Sequence, residues 1–357
     1  SGAEMNVARN WVQPKLGITD DSPELHAKDT YLGGDKKGDM KVINVMTHNA
    51  LAGAEWCRDY LGIRFEPDNL FFFGGHSRKR ALIPVGHTGT EFITKFQAKA
   101  DELGIPVITN MKAEELIKDK SGRVVGVKAT MNGAEYTFNA KGGVVLATGG
   151  FGANPAMVKK YNPKIDERFK TTDAPGTTGE ALYMAQRAGA ELVNMQYIQT
   201  YPICDPISGV IELIADARFD GAIMLNQEGK RFVEELGRRD VLSEAILDQT
   251  GGYCWVLWND KIGAVSNTVK EHPTEYDAFT KQGIMTTCPD LKCIADFTKI
   301  PYDSLKGTVD RVTSMAGKGN DKDFHHRAGL VDMSQGQYYV IKAVPSVHHT
   351  MGGVRIN

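Results

Sequence analysis

A short apolar segment that ends in glycines is the first feature of the sequence that suggests chemistry. Residues 144–147 read VVLA and are followed directly by Thr148-Gly149-Gly150. A buried parallel strand ends in this way where its carboxyl end meets a ligand, because glycines let backbone amides come close to the bound molecule. A tight turn that only needs residues without a Cβ atom would look the same. These residues alone leave both interpretations open.

Histidines and cysteines are the other residues whose chemistry needs to be considered. The adjacent pair His348-His349 by itself fits either a fragment of a metal site or plain surface. The cysteines Cys57, Cys204, Cys254, Cys288 and Cys293 form neither a CxxC pair nor a CxxCH haem-attachment motif. Cys288 and Cys293 have no second Cys or His pair at the distance of a zinc finger. We therefore expect core or surface thiols, no disulfide framework and no metal.

Length and composition limit the classes of partner. The chain has 357 residues, which favours two domains, and its 42 basic and 44 acidic side chains nearly cancel. No strong field of one sign would attract nucleic acid or an anionic membrane, so a small-molecule partner is expected. No apolar run approaches the ~20 residues that span a bilayer, and no signal peptide is evident at the start. The sequence predicts a soluble chain without a membrane span.

The segments that must position these residues alternate between helix and strand. Ser22-Pro23-Glu24 is typical of a helix start, and Gly33-Gly34 would end that helix. Apolar residues at helical spacing predict two further helices, over 39–61 with Gly62 beyond it, and over 92–103 with Gly104 beyond it. A strand is expected over 105–109. Helix followed by strand indicates an α/β protein.

Strands and an irregular region follow. Strands are expected over 113–118, 124–130 and 135–139, joined by turns at 120–122 and at Asn132-Gly133, and the apolar run 144–147 reads as a buried parallel strand. From about Ile198 to Pro345 the pattern becomes irregular, with strands predicted over 222–226 and 253–258 and helices over 243–248 and 303–316. We interpret this region as a second domain, inserted before the chain returns at His348.

The resemblance to a known family rests on four motifs. Residues 144–163, VVLATGGFGANPAMVKKYNP, closely resemble the strand, turn and helix at which the flavin domain of fumarate reductases and flavocytochromes c passes its cofactor. Residues 174–180, APGTTGE, resemble that family's Thr-Gly-Asp turn, with Glu180 in place of Asp. Residues 348–353, HHTMGG, resemble the segment that carries a substrate-binding His and lies against the flavin. Residues 1–6, SGAEMN, resemble its Ser-Gly-Gly-Met-Asn loop beside the isoalloxazine ring, from which Ala3-Glu4 departs.

The resemblance implies a fold and a cofactor. The fold would be α/β, with a Rossmann-like FAD-binding domain over 1–197, an inserted α+β capping domain over 198–347, and a return to the first domain over 348–357. The residues implied to bind FAD are Ser1, Gly2, Met5, Asn6, Ala113, Thr148, Gly149, Gly150, Thr178, Gly179, Glu180, His349, Met351 and Gly352. The family's opening GxGxxG turn and its C-terminal substrate-binding Arg have no counterpart here. We therefore expect an internal section of a longer enzyme.

The chemistry implied by the resemblance is reduction of an activated alkene. This reaction needs a hydride donor at one carbon, a proton donor at the other, and positive charge at the substrate carboxylate. Flavin N5 would supply the hydride, and residues 234–240, EELGRRD, match the family's motif with Arg239 as the acid. Arg218 and Asp216 lie where the family has a proton relay, and His348 matches its carboxylate-binding His. Glu235 and Asp240 equally fit a solvated surface.

Tyr201 indicates the substrate. In residues 198–202, IQTYP, a phenol takes the place of the His with which fumarate reductases grip a second carboxylate. A phenol is a poor clamp for a carboxylate, but its ring can stack on an aromatic heterocycle. This matches the urocanate reductases of the family, since urocanate carries an imidazole where fumarate carries its far carboxylate. Phe73, Glu4 and Asp216 are the expected partners of the imidazole, although some of residues 71–73 would pack in a core instead.

The expected activity is reduction of urocanate to dihydrourocanate (imidazole propionate), with hydride from FAD and a proton from Arg239. Reduction of fumarate or another acrylate on the same scaffold is one alternative, and a non-catalytic ligand-binding fragment is another. An external electron donor, a haem or FMN domain or protein, is expected outside this chain, because neither a haem motif nor an obvious FMN domain is present. The resemblance suggests a periplasmic location.

Overall fold

The computed structural model describes residues 2–356 and divides them into two compact units, residues 2–111 and residues 112–356. The first unit holds a three-stranded antiparallel sheet in the order β1-β3-β2. Its elements are β1 (Met5–Asn6), α1 (Pro23–Gly33), α2 (Met40–Asp59), β2 (Phe65–Phe71), β3 (Ala81–Pro84) and α3 (Thr90–Glu102), with a short 3-10 helix at Gln13–Leu16. Its buried core includes Val7, Val12, Ala54, Leu70 and Leu82.

The helix boundaries of the first unit follow from local capping. Ser22 Oγ accepts a hydrogen bond from the backbone N–H of Leu25 at the start of α1, as the sequence predicts. Asp39 caps α2 in the same manner by accepting from Lys41 N–H. Gly104 follows α3 with a φ of 64°, a left-handed conformation that glycine adopts without steric cost. The three helix predictions are confirmed.

The strand predicted over 105–109 is wrong. The structure has no strand there, and Ile105, Val107 and Ile108 are exposed. A strand is stable only when a neighbour satisfies its backbone groups, and no described strand pairs with this segment.

The second unit begins with a three-stranded antiparallel meander of β4 (Lys112–Lys118), β5 (Val124–Met131) and β6 (Ala134–Asn139), as predicted. A larger sheet has the order β10-β11-β13-β12, and β7 and β9 also pair with β13. Its strands are β7 (Lys170–Thr171), β9 (Ile198–Cys204), β10 (Ile223–Leu225), β11 (Cys254–Asn259), β12 (Met285–Cys288) and β13 (Tyr338–Thr350); separately, β14 (Gly353–Val354) pairs with β8 (Leu192–Val193).

The second unit also contains helices. They are α4 (Pro155–Tyr161), α5 (Glu180–Arg187), α6 (Arg239–Leu247), α7 (Asp260–Ser266), α8 (Thr268–Glu271), α9 (Pro273–Gln282), α10 (Leu291–Thr298) and α11 (Tyr302–Ala316), with 3-10 helices at Leu213–Asp220 and Thr250–Gly252. All six residues of β11 are buried, as its apolar sequence CWVLWN favours for a central strand. The predicted strands 222–226 and 253–258 and helix 303–316 correspond to β10, β11 and α11. The helix predicted over 243–248 begins four residues earlier, at Arg239.

Two predictions for this unit are wrong. Residues 144–147 form no strand, and Val145 is 91% exposed, because no described strand pairs with the run. Cys288 and Cys293 form a disulfide rather than remaining free thiols. Asp290 accepts a hydrogen bond from Cys293 N–H, which turns the chain between β12 and α10 and brings the two Cα atoms to 5.6 Å. Cys57, Cys204 and Cys254 are free and buried, as expected.

Within residues 2–356, no helix is both long and apolar enough to cross a membrane. Nor do the His, Cys, Asp and Glu side chains of these described residues gather in a group of three or more that could hold a metal ion.

Candidate active site

Pairing between β9 and β13 brings Tyr201 and His348 together. Ser346 lies opposite Tyr201, and His349 lies opposite Gln199. The ring centroids of Tyr201 and His348 are 5.3 Å apart, and those of His348 and His349 are also 5.3 Å apart. The hydroxyl of Thr172, just after β7, lies 2.9 Å from His348 Nδ1 and 3.1 Å from the His348 carbonyl oxygen. The Thr172 hydroxyl therefore contacts both the imidazole and the backbone of His348.

Arg239, the first residue of α6, reaches the same place. Its guanidinium carbon lies 4.7 Å from the centroid of the Tyr201 ring, a cation–π contact. Its Nη1 donates a hydrogen bond to Gln199 Oε1 at 2.6 Å. Partial burial, the charge of Arg239 and the neighbouring His349 together lower the pKa of His348 to about 3. His348 is thus neutral near pH 7 and can donate one hydrogen bond.

Arg218 contacts the hydroxyl of the Tyr201 phenol. It belongs to the 3-10 helix Leu213–Asp220 and is buried, and its Nη2 donates to the Tyr201 hydroxyl at 3.2 Å. The carboxylate of Asp216 is 3.8 Å from the same nitrogen. Burial, reinforced by the charge of Asp216, raises the pKa of Tyr201 to about 12. The phenol therefore stays protonated and contacts two guanidinium groups.

The arrangement suits a small carboxylate with an apolar body. Two guanidinium groups and a neutral imidazole supply donors for a carboxylate, and the phenol ring supplies a flat apolar face. The structure thus brings five of the predicted residues together, namely Tyr201, His348, Arg239, Arg218 and Asp216. We refer to these five residues as the Tyr201 cluster.

The glycine turn packs directly against the end of β13. The backbone N–H of Phe151 donates to Thr350 Oγ1 at 3.2 Å. A Cβ atom on Gly150 would lie 1.9 Å from that oxygen, so the close approach requires glycine. Gly149 has a φ of 68°, in the left-handed region. The turn and residues 348–353 therefore form one continuous structure.

Two further predicted glycines are also required by close packing. A Cβ atom on Gly352 would lie 2.4 Å from the backbone of Asn194. Gly179, before α5, has a φ of 77°, and a Cβ there would meet Phe151 and Met157. The Thr178 carbonyl oxygen accepts from Asn154 Nδ2. Glu180 forms an ion pair of 3.3 Å with Lys112, the residue before the exposed Ala113.

This part of the second unit has the chemical character that a flavin needs. Val145, Thr148 and Gly149 are exposed and Met351 is 56% exposed, next to the Phe151 to Thr350 contact that joins their two segments. Exposed apolar side chains beside backbone that lacks Cβ atoms can accept a flat ring system and offer amides to its polar groups. Residues 148–150 and 351–352 would hold the cofactor.

The remaining predicted site residues belong to the first unit. A Cβ on Gly2 would lie 2.0 Å from Glu4 Oε1, so the Glu4 side chain folds back over Gly2. Met5 and Asn6 form β1 and pair with Leu82 and Ala81. Phe73 is half-buried and packs on Phe71 with ring centroids 4.7 Å apart. The roles of these residues toward flavin and substrate stay predictions, and Ser1 lies outside the described residues.

Sequence reasoning missed several contributors. Gln199 could have been predicted from the sequence, since it lies two residues before Tyr201 and therefore on the same face of a strand. Thr172 had none, because only the parallel pairing of β7 with β13 brings it to His348. Glu235 is fully buried and paired with Arg231, so the surface interpretation is wrong for it, whereas Asp240 is exposed and pairs with Arg238.

Comparisons with known proteins identify the family of the chain. A sequence family described as an FAD binding domain matches residues 1–357. Over 361 residues the chain is 41% identical to a urocanate reductase of Eggerthella lenta, covering 100% of this chain and 59% of that protein. Over 355 residues it is 33% identical to a fumarate reductase (cytochrome) of Shewanella frigidimarina, covering 99% of this chain and 60% of that protein.

The fold has a close counterpart among solved structures. The open conformation of a flavocytochrome c3 fumarate reductase superposes with a TM-score of 0.81 and 29% identity, covering 100% of this chain and 61% of that one. The chain therefore spans about three fifths of the length of these three relatives. Matched over its whole length, it belongs to the FAD binding domain family.

Proposed function

We propose that this chain carries the substrate site of a flavin-dependent reductase that converts urocanate to dihydrourocanate (imidazole propionate). The observation that carries the proposal is the phenol of Tyr201, whose ring contacts His348 and Arg239 and whose hydroxyl accepts a hydrogen bond from Arg218. A ring at this position favours an aromatic heterocycle over a second carboxylate. The 41% identity to a protein named urocanate reductase supports the same substrate.

The residues of the Tyr201 cluster have separate roles in the reaction. The hydride for the β-carbon of the acrylate would come from FAD when it is bound. When the Thr172 hydroxyl donates to Nδ1 of neutral His348, the ring proton lies on Nε2 and can be donated to the substrate carboxylate, and the Arg239 charge stabilises the negative charge that develops there. Arg239 then protonates the α-carbon, so that the double bond gains one hydride and one proton.

An arginine can act as an acid only if its proton is replaced at once, because a guanidinium stays protonated far above neutral pH. The contacts of Arg218 support such a relay. Its Nη2 lies 3.8 Å from the Asp216 carboxylate and donates to the Tyr201 hydroxyl at 3.2 Å. The ring face of Tyr201 in turn contacts Arg239, and because a ring face passes no proton, the relay requires Arg218 and Arg239 to come into contact when the site closes over the substrate. We assign proton transfer to Asp216, Arg218 and Arg239 in that order.

The test is oxidation of a reduced viologen by the full-length, flavin-loaded protein with urocanate or fumarate. We expect kcat/KM for urocanate to exceed that for fumarate strongly. Faster turnover of fumarate would contradict urocanate as the substrate and favour the alternative, a reductase of fumarate or another acrylate. His348 and Arg239, which can bind a carboxylate, are compatible with that alternative. Flavin absorbance with no turnover of either acid would favour a ligand-binding module.

A further inference from the structure

A buried ionic network holds the segment that precedes Arg239. Arg231 Nε and Nη2 donate to the two carboxylate oxygens of Glu235 at 2.7 and 2.8 Å. Arg231 Nη2 also donates to Asp321 Oδ2 at 2.8 Å. The side chains of Arg231, Glu235 and Asp321 are only 4%, 0% and 2% exposed. Since a buried charge without its partner is very costly, these contacts fix the geometry of the segment firmly.

A second attachment joins the same two parts of the chain at the surface. Arg327 donates through Nε and Nη2 to Glu234 Oε2 at 3.2 and 2.9 Å, and its Nη2 also donates to the Leu236 carbonyl oxygen. We refer to residues 321–327 as the clamp loop. Asp321 also organises this loop, because its carboxylate accepts from the backbone N–H groups of Asp323 and His326. Both attachments therefore run from one ordered loop to residues 231–236.

Glu235 connects these attachments to the Tyr201 cluster. Its backbone carbonyl oxygen accepts from Arg218 Nη1 at 3.2 Å, while the other nitrogen of that guanidinium donates to Tyr201. Only three residues separate Glu235 from Arg239, where α6 begins. A shift of residues 234–236 would consequently move the acceptor that orients Arg218 and the start of the helix that presents Arg239.

We propose that the clamp loop is a positioning element for the reaction, in which Asp321 and Arg327 fix residues 234–236 and thereby aim Arg218 and Arg239 at the substrate. The proposal rests on the proposed function, in which these two arginines deliver the proton. A displacement of about 1 Å at a reacting group can cost roughly a hundredfold in rate. Binding of the substrate, which depends on Tyr201 and His348, should change much less.

The test is Arg327→Gln in the full-length, flavin-loaded protein. The Arg327 side chain is 55% exposed, so its loss should leave the fold intact. We expect kcat to fall roughly tenfold or more, with KM changed by less than about threefold. The solvent deuterium isotope effect on kcat should rise, since protonation becomes slower. Arg327→Lys, which keeps the charge but not the forked donor, should restore part of the rate.

Arg311→Gln is the matched control. It removes an exposed ion pair from Arg311 in α11 to Asp323 of the same loop but none of the described contacts to residues 231–236. We expect its kcat to equal that of the parent. Equal losses in both variants, or a rise in KM with kcat unchanged, would overturn the positioning role.

Hydrogen exchange gives a second measurement that needs no turnover. In Arg327→Gln, the backbone amides of residues 237–242 should exchange faster than in the parent and in Arg311→Gln, and unchanged exchange would overturn the proposal. If the parent reduces fumarate but not urocanate, the proposed substrate is wrong. The positioning role of the clamp loop is then tested by the kcat of the variants with fumarate. If the parent reduces neither, the proposed function fails and the exchange rates alone decide the clamp.

Discussion

At the scale of single residues, Tyr201 combines two properties that a substrate site needs. Burial keeps its hydroxyl protonated, and Arg218 holds that hydroxyl, so the ring cannot turn away from His348. A ring held in this way presents the same face to every ligand. The consequence is that substitutions at Tyr201 should alter substrate choice more than stability of the fold.

Tyr201→His should move substrate preference from urocanate toward fumarate. Loss of an aromatic contact costs about 1 kcal/mol, and an unpaired buried N–H of the substrate costs ~1–3 kcal/mol, so kcat/KM for urocanate should fall roughly ten- to a thousandfold. Fumarate turnover should rise less, because the negative charge of Asp216 stays close to the site. Tyr201→Phe, which keeps the ring, is the control and should retain most urocanate activity. Equal losses of kcat/KM for urocanate in Tyr201→Phe and Tyr201→His would contradict a stacking role for the Tyr201 ring.

Arg239→Lys should abolish turnover while flavin content stays normal. Lysine keeps the positive charge but lacks the planar fork that reaches Gln199 and covers the Tyr201 ring. The measurement is viologen oxidation together with flavin absorbance of the same sample. Turnover within a few-fold of the parent would remove Arg239 from the role of the acid.

The sequence indicated Tyr201, His348 and Arg239 as neighbours only through resemblance, because they come from three elements far apart in the chain. Local pattern could not place Glu235 either. A charged residue beside other charges fits a solvated surface, and only the tertiary contact with Arg231 and Asp321 explains its complete burial. Burial of a charge depends on its partner, which the local sequence does not show.

At the scale of elements, the 3-10 helix Leu213–Asp220 carries both Asp216 and Arg218, so its start affects the site. Glu275 of α9 caps that start by accepting from Ile214 N–H at 3.0 Å. Burial raises the pKa of Glu275 to about 7, and the charge of Asp216 adds to this rise. The carboxyl of Glu275, which caps this 3-10 helix, therefore changes charge near neutral pH.

Glu275→Gln tests the effect of this titration on stability. The folded pKa is about 7 and the ordinary value is 4.5, so between these values the folded protein binds more protons than the unfolded chain. Stability from Glu275 is therefore fully present below pH 4.5 and is lost as pH rises through about 7. Relative to the parent, Glu275→Gln should gain about 1–3 kcal/mol between pH 4.5 and pH 8.

Unfolding of both proteins at pH 5 and pH 8 provides the measurement for this prediction. Glu271→Gln, which changes an exposed carboxyl on the neighbouring α8, serves as the control. A stability difference between parent and Glu275→Gln that is the same at both pH values would contradict the raised pKa.

Elements whose signals are local could be predicted from sequence, and elements that need a distant partner could not. Ser22 and Gly104 mark helix ends through their own backbone chemistry, and Asn132-Gly133 makes a hairpin turn between β5 and β6. The apolar run at 144–147 has the composition of a strand, but pairing decides whether a strand forms. The disulfide between Cys288 and Cys293 likewise depends on the turn made by Asp290.

At the scale of the whole molecule, β13 connects the expected capping region to the residues that are expected to bind FAD. Its first half pairs in regular register with β11 over Cys254 to Asn259. Its second half pairs with β9, with irregularities between Val344 and Ser346 and between Val347 and His349. Such bulges bend a strand and weaken its ladder locally. Both lie at the boundary proposed for the capping domain, residues 198–347.

We expect the capping region to move relative to the rest of the second unit by bending at these irregularities, as lids over active sites do. In hydrogen exchange on the full-length protein, the amides of residues 346–349 should exchange faster than those of residues 339–343. Urocanate should slow exchange at residues 346–349 most, because a closed cap straightens and covers this stretch. The regular central strand β11 is the internal control and should stay protected throughout. Uniform protection of the backbone amides along β13, with or without urocanate, would show that the strand does not bend at these irregularities. The capping region would then not move in the way expected here.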